Sequence, residues 1–193
     1  MNNIMLDLET MGNNPNAPIV AIGAVFFDIA NGTLGDQFYT AVDLESEMAL
    51  GAVPNADTIK WWLKQGSEAR AEITSIAANN ITAALSGLFG FACSHCSDTG
   101  RLDVWGNGAS FDNVILRAAY ERVGIDPFWN WWNDRDVRTM VMLGRQIDFD
   151  PKRDMPFSGE RHNALNDAIH QAQYVSAIYQ RLMSAHQQDQ ELS

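Results

Sequence analysis

Asn3-Ile4-Met5-Leu6-Asp7-Leu8-Glu9-Thr10 reads as a short buried strand that carries two acids. Successive side chains of a strand point to opposite faces, so Asp7 and Glu9 project from the same one. Two carboxylates side by side in an apolar strand repel each other and lose hydration, a cost that a cation removes. Hard divalent ions take oxygen ligands of this kind. A bare Asp-x-Glu at a strand end is more usually a pair of acids facing water, so its meaning depends on residues further along the chain.

The stretch from Thr10 to Pro18 is rich in Asn, Gly and Pro and reads as a loop. Ile19 to Phe27 is an apolar run of strand length, Ala30-Asn31-Gly32-Thr33 supplies a turn, and Phe38 to Val42 gives a third strand. Helical patterning begins near Asp43, and a helix starting at Asp57 or Thr58 carries Ile59, Trp61, Trp62 and Leu63. Further helices are predicted over 80–91, 111–123, 137–145 and 163–186, with a fourth strand over 101–106. The aromatic stretch 128–132 leads into a fifth, and 148–161 is a polar loop. Strands first, then alternating helix and strand, imply an α/β fold: a mixed five-stranded sheet with helices on both faces. The strand bearing Asp7 and Glu9 belongs at its centre. With no repeat and no long linker, one domain is expected over 1–186, followed by a flexible polar tail over 187–193.

At 193 residues and 46% hydrophobic composition, the chain is long enough for one full core. It has no run of 18 apolar residues and no basic, apolar leader, so the expectation is a cytoplasmic protein with no membrane partner. Cys93 and Cys96 make no disulfide framework, and without a second cysteine pair they read as part of a polar loop after a helix rather than a zinc site. The net charge of −11 excludes a protein that coats nucleic acid through a basic surface. It leaves room for an enzyme that meets phosphate through bound cations at a free strand end.

Two downstream features give the acidic strand its context. Asp112 follows the Gly-rich Trp105-Gly106-Asn107-Gly108 junction at the start of a helix, where an acid is favoured by the free N–H groups. His162 and Asp167 are five residues apart, about 500° around a helix. They converge only if His162 lies on the loop and Asp167 in the first turns of the closing helix. Asp-x-Glu, then Asp, then His-x4-Asp, in this order from Asp7 to Asp167, resembles the three motifs of the DEDDh 3′–5′ exonucleases, the DnaQ-like branch of the ribonuclease H-like superfamily. Within that branch, Trp61-Trp62 and Asp136-Val137-Arg138-Thr139 look most like RNase AS-type and prophage-encoded exonucleases.

The resemblance implies two divalent ions, Mg2+ or Mn2+, held by Asp7, Glu9, Asp112 and Asp167. It implies His162 as the general base, since an imidazole is available as a base near neutral pH. Thr10, Met11, Asn107 and Phe111 are implied as contacts to the terminal nucleotide, with Trp61 or its neighbour Trp62 stacking on a base. Lys152, Arg153 and Arg161 are candidates for steering phosphates. The expected partner is the 3′ end of single-stranded nucleic acid, DNA or RNA, with release of nucleoside 5′-monophosphates and self-association into a homodimer. The competing expectation is a catalytically silent nuclease-like scaffold, which would not keep a costly acidic cluster and would bind no Mn2+.

Overall fold

The computed structural model describes residues 1–191. It opens with three antiparallel strands, β1 (Asn3–Thr10), β2 (Ile19–Phe27) and β3 (Leu34–Ala41). Four helices follow: α1 (Leu44–Ala49), α2 (Ala56–Trp62), α3 (Ser67–Ile73) and α4 (Ile81–His95). The second half runs β4 (Asp103–Gly106), α5 (Asp112–Val123), β5 (Asp134–Asp136), α6 (Val137–Gln146), the one-turn α7 (Pro151–Asp154) and α8 (Ala164–Glu191). The strands join in one sheet ordered β3-β2-β1-β4-β5, with β4 parallel to β1 and β5 parallel to β4. This is the mixed five-stranded sheet expected, with β1 in the middle. Among the described residues no helix is long and apolar enough to cross a membrane.

Short polar residues set the helix starts. Asn55 accepts hydrogen bonds from the N–H groups of Asp57 and Thr58, so α2 begins at Ala56, one residue before the acid that the sequence suggested. Asp43, Asn80 and Asp136 cap α1, α4 and α6 in the same way. Several elements depart from expectation, among them the one-turn α7 inside the stretch 148–161 expected as a polar loop. β3 starts at Leu34, because its ladder to β2 extends through Gly35, Asp36 and Gln37, whose side chains carry no strand signal. α3 had no sequence signal, since only Ala69 and Ile73 give it an apolar side. Cys93-Ser94-His95 is the last turn of α4 rather than a loop, and both cysteines are free. α8 continues to Glu191; of the tail expected over 187–193, Leu192 and Ser193 lie outside the described residues.

The two-residue period of β1 sorts its side chains into two layers. Ile4, Leu6 and Leu8 pack against Leu85 and Leu88 of α4 and Ile115 and Leu116 of α5. Met5 points the other way, into a layer with Ala168, Ala172 and Val175 of α8 and Val137 and Val141 of α6. Asp7 and Glu9 continue the second face, beneath the start of α8. A fully buried Glu47 ties three elements together, accepting from the Ile19 N–H at 3.0 Å and from Arg122 of α5 at 2.7 Å.

Gly23 makes the approach of α8 possible. It pairs with Asp7 across the β1–β2 ladder, and a Cβ there would overlap the backbone of Ala164 and Leu165. Gly23→Ala is expected to push the start of α8 off the sheet, lowering the melting temperature by roughly 2–10 °C. The same substitution should weaken divalent-cation binding, because Asp167 rides on that turn. A variant that melts and binds Mn2+ like the parent would show that α8 has room to spare.

Candidate active site

Asp7, Glu9 and Asp167 bring carboxylate oxygens within 4.8 Å of one another. They share a 270 Å³ cavity with Asp112, His162, Asn107 and Phe111. β1 supplies Asp7 and Glu9 and the first residue of α5 supplies Asp112. The loop before α8 supplies His162, and the first turn of α8 supplies Asp167. Asp112 is 3% exposed, and its Oδ1 accepts the Leu8 N–H at 3.3 Å, which ties the second acidic motif to the first.

Burial and like charge make this cluster costly when it is bare. Burial pushes the Asp7 carboxyl well above the usual carboxylate range, and the charges of Asp112, Glu9 and Asp167 push it further. A hydrogen bond from Gln171 Nε2 to Asp7 Oδ1, 2.7 Å, opposes that rise. Asp112 is raised to about 7 by burial, against the pull of backbone N–H groups and the Arg138 charge. Burial also raises Asp167, against the N–H and charge of His162. An all-oxygen donor set whose protons come off reluctantly is one that divalent cations fit, since they replace those protons with fixed positive charge.

His162 occupies the left-handed region with φ +64°, uncommon for a residue with a side chain. The conformation turns its N–H onto Asp167 Oδ2 at 2.8 Å, so the loop and the helix acid hold each other. Its ring sits edge-on to Trp61, with centroids 5.0 Å apart. The two tryptophans divide as adjacent helix positions must. Trp62 is buried and donates its indole N–H to the Thr10 carbonyl at 2.9 Å, while Trp61 is 42% exposed beside His162.

Asn107 and Phe111 line the cavity as expected, whereas Thr10 and Met11 are not among its lining residues. The Thr10 hydroxyl bonds the Gly12 carbonyl at 2.7 Å, and Met11 packs under Trp62, Val20 and Ala69. Of the basic candidates, Arg153 pairs with Asp154, the Arg161 guanidinium lies 4.7 Å over the Phe157 ring, and Lys152 stands near Arg138 and Arg145. Sequence reasoning missed Gln171 and Arg138, both of which line the cavity. Gln171 had a signal, lying four residues after Asp167 on the same helical face. Arg138 lies in the Asp136-Val137-Arg138-Thr139 stretch that carries the resemblance, but that stretch by itself assigns it no role.

Residues 2–179 match the model of the Rv2179c-like 3′–5′ exoribonuclease domain. The chain belongs to that family of 3′–5′ exonucleases. The exodeoxyribonuclease of enterobacteria phage T4 is 27% identical over 165 residues, 73% of this chain and 71% of the phage protein. Among solved structures, E. coli exonuclease I in complex with a dT13 oligonucleotide superposes with a TM-score of 0.67 at 16% identity, over 96% of this chain and 42% of its own. The nuclease domain of 3′hExo, a DEDDh family member bound to rAMP, gives 0.58 at 14%, over 95% and 92%. The cell-death related nuclease CRN-4 gives 0.63 at 13%, over 95% of this chain and 64% of its own, so the chain spans less than two thirds of that nuclease. At such identities these structures show the shared ribonuclease H-like fold. The DEDDh resemblance read from Asp7 to Asp167 is borne out.

The pH dependence of the metal-free protein follows from these shifts. Asp112 moves from 3.8 to about 7, so the folded state keeps a proton that the unfolded chain releases. Stability in chelator should therefore be highest at acid pH and fall as pH rises from about 4 to 7. Excess Mn2+ should remove the fall, and Asp7→Asn should flatten it. Thermal melts at pH 5 and pH 8, with and without chelator, check this; stability rising over that interval in chelator would contradict it.

Proposed function

We propose that this chain degrades single-stranded nucleic acid from its 3′ end, releasing nucleoside 5′-monophosphates, with RNA as the preferred strand. The observation that carries this reading is the convergence of Asp7, Glu9, Asp112, His162 and Asp167 from separate elements on one cavity. RNA is favoured because the family matched over 2–179 is described by an activity on RNA. The phage relative, named for DNA, shares 27% of positions.

Asp7, Glu9, Asp112 and Asp167 would hold two divalent cations, Mg2+ or Mn2+, which when bound supply an activated water and charge stabilisation at the phosphate. His162 takes a proton from the attacking water at a ring nitrogen. Its backbone bond to Asp167 and the edge of Trp61 hold it at the cavity wall. The bond broken is P–O3′, leaving a 3′-hydroxyl on the shortened strand and a 5′-phosphate on the released nucleotide. Asn107 and Phe111 bound the space for the terminal nucleotide, and Trp61 offers a stacking surface at its edge, worth about 1–3 kcal/mol per base. One chain brings all five residues together, and the expected homodimer finds no support in this geometry. Placement in the cytoplasm accords with a strand-degrading role.

Digestion of matched 5′-labelled RNA and DNA with Mn2+ tests the reading; a ladder shrinking from the 3′ end, stronger on RNA, is the expected result. Asp7→Ala and Asp167→Ala should abolish the ladder. His162→Ala should slow the chemical step by about 10²–10⁴-fold while leaving Mn2+ affinity close to that of the parent. Collapse of metal binding in that variant would make His162 a ligand and remove it as the base.

A further inference from the structure

Arg138 stands out in a chain with 24 acids and 13 bases. Other arginines are neutralised by partners: Arg117 by Asp134, Arg122 by Glu47, Arg135 by Asp103 and Arg145 by Asp150. Arg138 lines the same cavity as Asp7, Glu9, Asp112 and Asp167. Among the described residues, none accepts a hydrogen bond from it or pairs with it at ion-pair distance. Its charge is nonetheless felt by Asp112 and Asp136.

The fold brings this side chain to the cavity rim. Asp136 caps α6 through the Thr139 N–H at 2.7 Å, and its other oxygen accepts the Ala109 N–H at 2.8 Å. One carboxylate thus joins the helix that carries Arg138 to the β4–α5 junction. At that junction Gly108 adopts φ +119°, and a Cβ on it would lie 3.0 Å from Arg138 Cζ and 3.2 Å from Nε. The missing side chain is the space in which the guanidinium rests. Lys152 adds a second cation nearby: burial and the charges of Arg138 and Arg145 lower its ammonium. Arg138 is exposed at the rim of an acidic cavity, so its unpaired donors are open to an anion that arrives with the substrate.

We propose that Arg138 grips the non-bridging oxygens of the scissile phosphate. The proposal rests on the nuclease reading above and names a contact to that substrate from outside the five acidic-and-histidine positions. A planar guanidinium presents paired N–H donors that match a phosphate, which an ammonium does only as a point charge. The released nucleoside 5′-monophosphate keeps this phosphate, so the contact persists in the product.

The test uses the full chain with Mn2+, titrated calorimetrically with adenosine 5′-monophosphate and with adenosine. Arg138→Ala should weaken the monophosphate at least about tenfold while leaving the nucleoside within about twofold. Arg138→Lys should restore part of the loss. Arg101→Ala, on the exposed turn before β4 and away from the cavity, removes the same net charge and should leave monophosphate affinity unchanged. Equal affinity for the monophosphate in Arg138→Ala and wild type overturns the proposal, as does an equal loss in Arg101→Ala, which would make the effect one of net charge. Wild-type cleavage of labelled strands is measured alongside. An active wild type with an unaffected Arg138→Ala removes the phosphate contact and leaves the nuclease reading intact, whereas a wild type inert on both strands removes both.

Discussion

The close approach of α8 to the sheet is the constraint on which the site depends. At Gly23 the helix backbone rests on strand backbone, and directly across the ladder is Asp7. That contact lowers Asp167 and the loop bearing His162 toward carboxylates more than 150 residues earlier in sequence. Trp62 anchors the far end of β1 through the Thr10 carbonyl. Asp112 anchors its middle through the Leu8 N–H. The central strand is therefore held at the positions flanking its acids, and the cluster keeps its shape although its members repel one another.

That repulsion is an energetic conflict built into the resting protein. Buried acids raised above their ordinary range oppose folding at neutral pH, and the apolar layers on both sides of β1 must offset them. The conflict is local: it is confined to the end of β1 and the helix starts beside it, the packing of α4 and α5 on β1 is otherwise apolar, and the Glu47–Arg122 pair is neutral as a unit. A site that is uncomfortable without cations selects for them, so stability and readiness for catalysis draw on one set of residues.

How much of this was legible in the sequence depended on the range of the interaction involved. Strand period put Asp7 and Glu9 on one face, and the need for His162 to precede its helix followed from angular spacing. Both are local rules, and both hold. The division of Trp61 from Trp62 was also legible as a difference, but which of them turned inward was decided by the Thr10 carbonyl, a partner 52 residues away. Thr10 and Met11, expected at the terminal nucleotide, direct their side chains to the Gly12 carbonyl and beneath Trp62. Gln171 could have been found from helical spacing. Arg138 could not, because its meaning depends on the shape of the turn at Gly108.

The left-handed backbone at His162 has an evolutionary consequence. Residues that tolerate that conformation best, apart from glycine, are Asn, Asp and His. In the genetic code, asparagine and aspartate each lie one base change from histidine. Either would suit the turn and leave the backbone N–H free to hold Asp167, while removing the imidazole. With His162 as the base proposed above, the shortest mutational routes away from catalysis lead to chains that still fold and still gather their acids. On that proposal, natural variation at this position would generate inactive but intact relatives, proteins that keep the architecture of a nuclease after losing its chemistry.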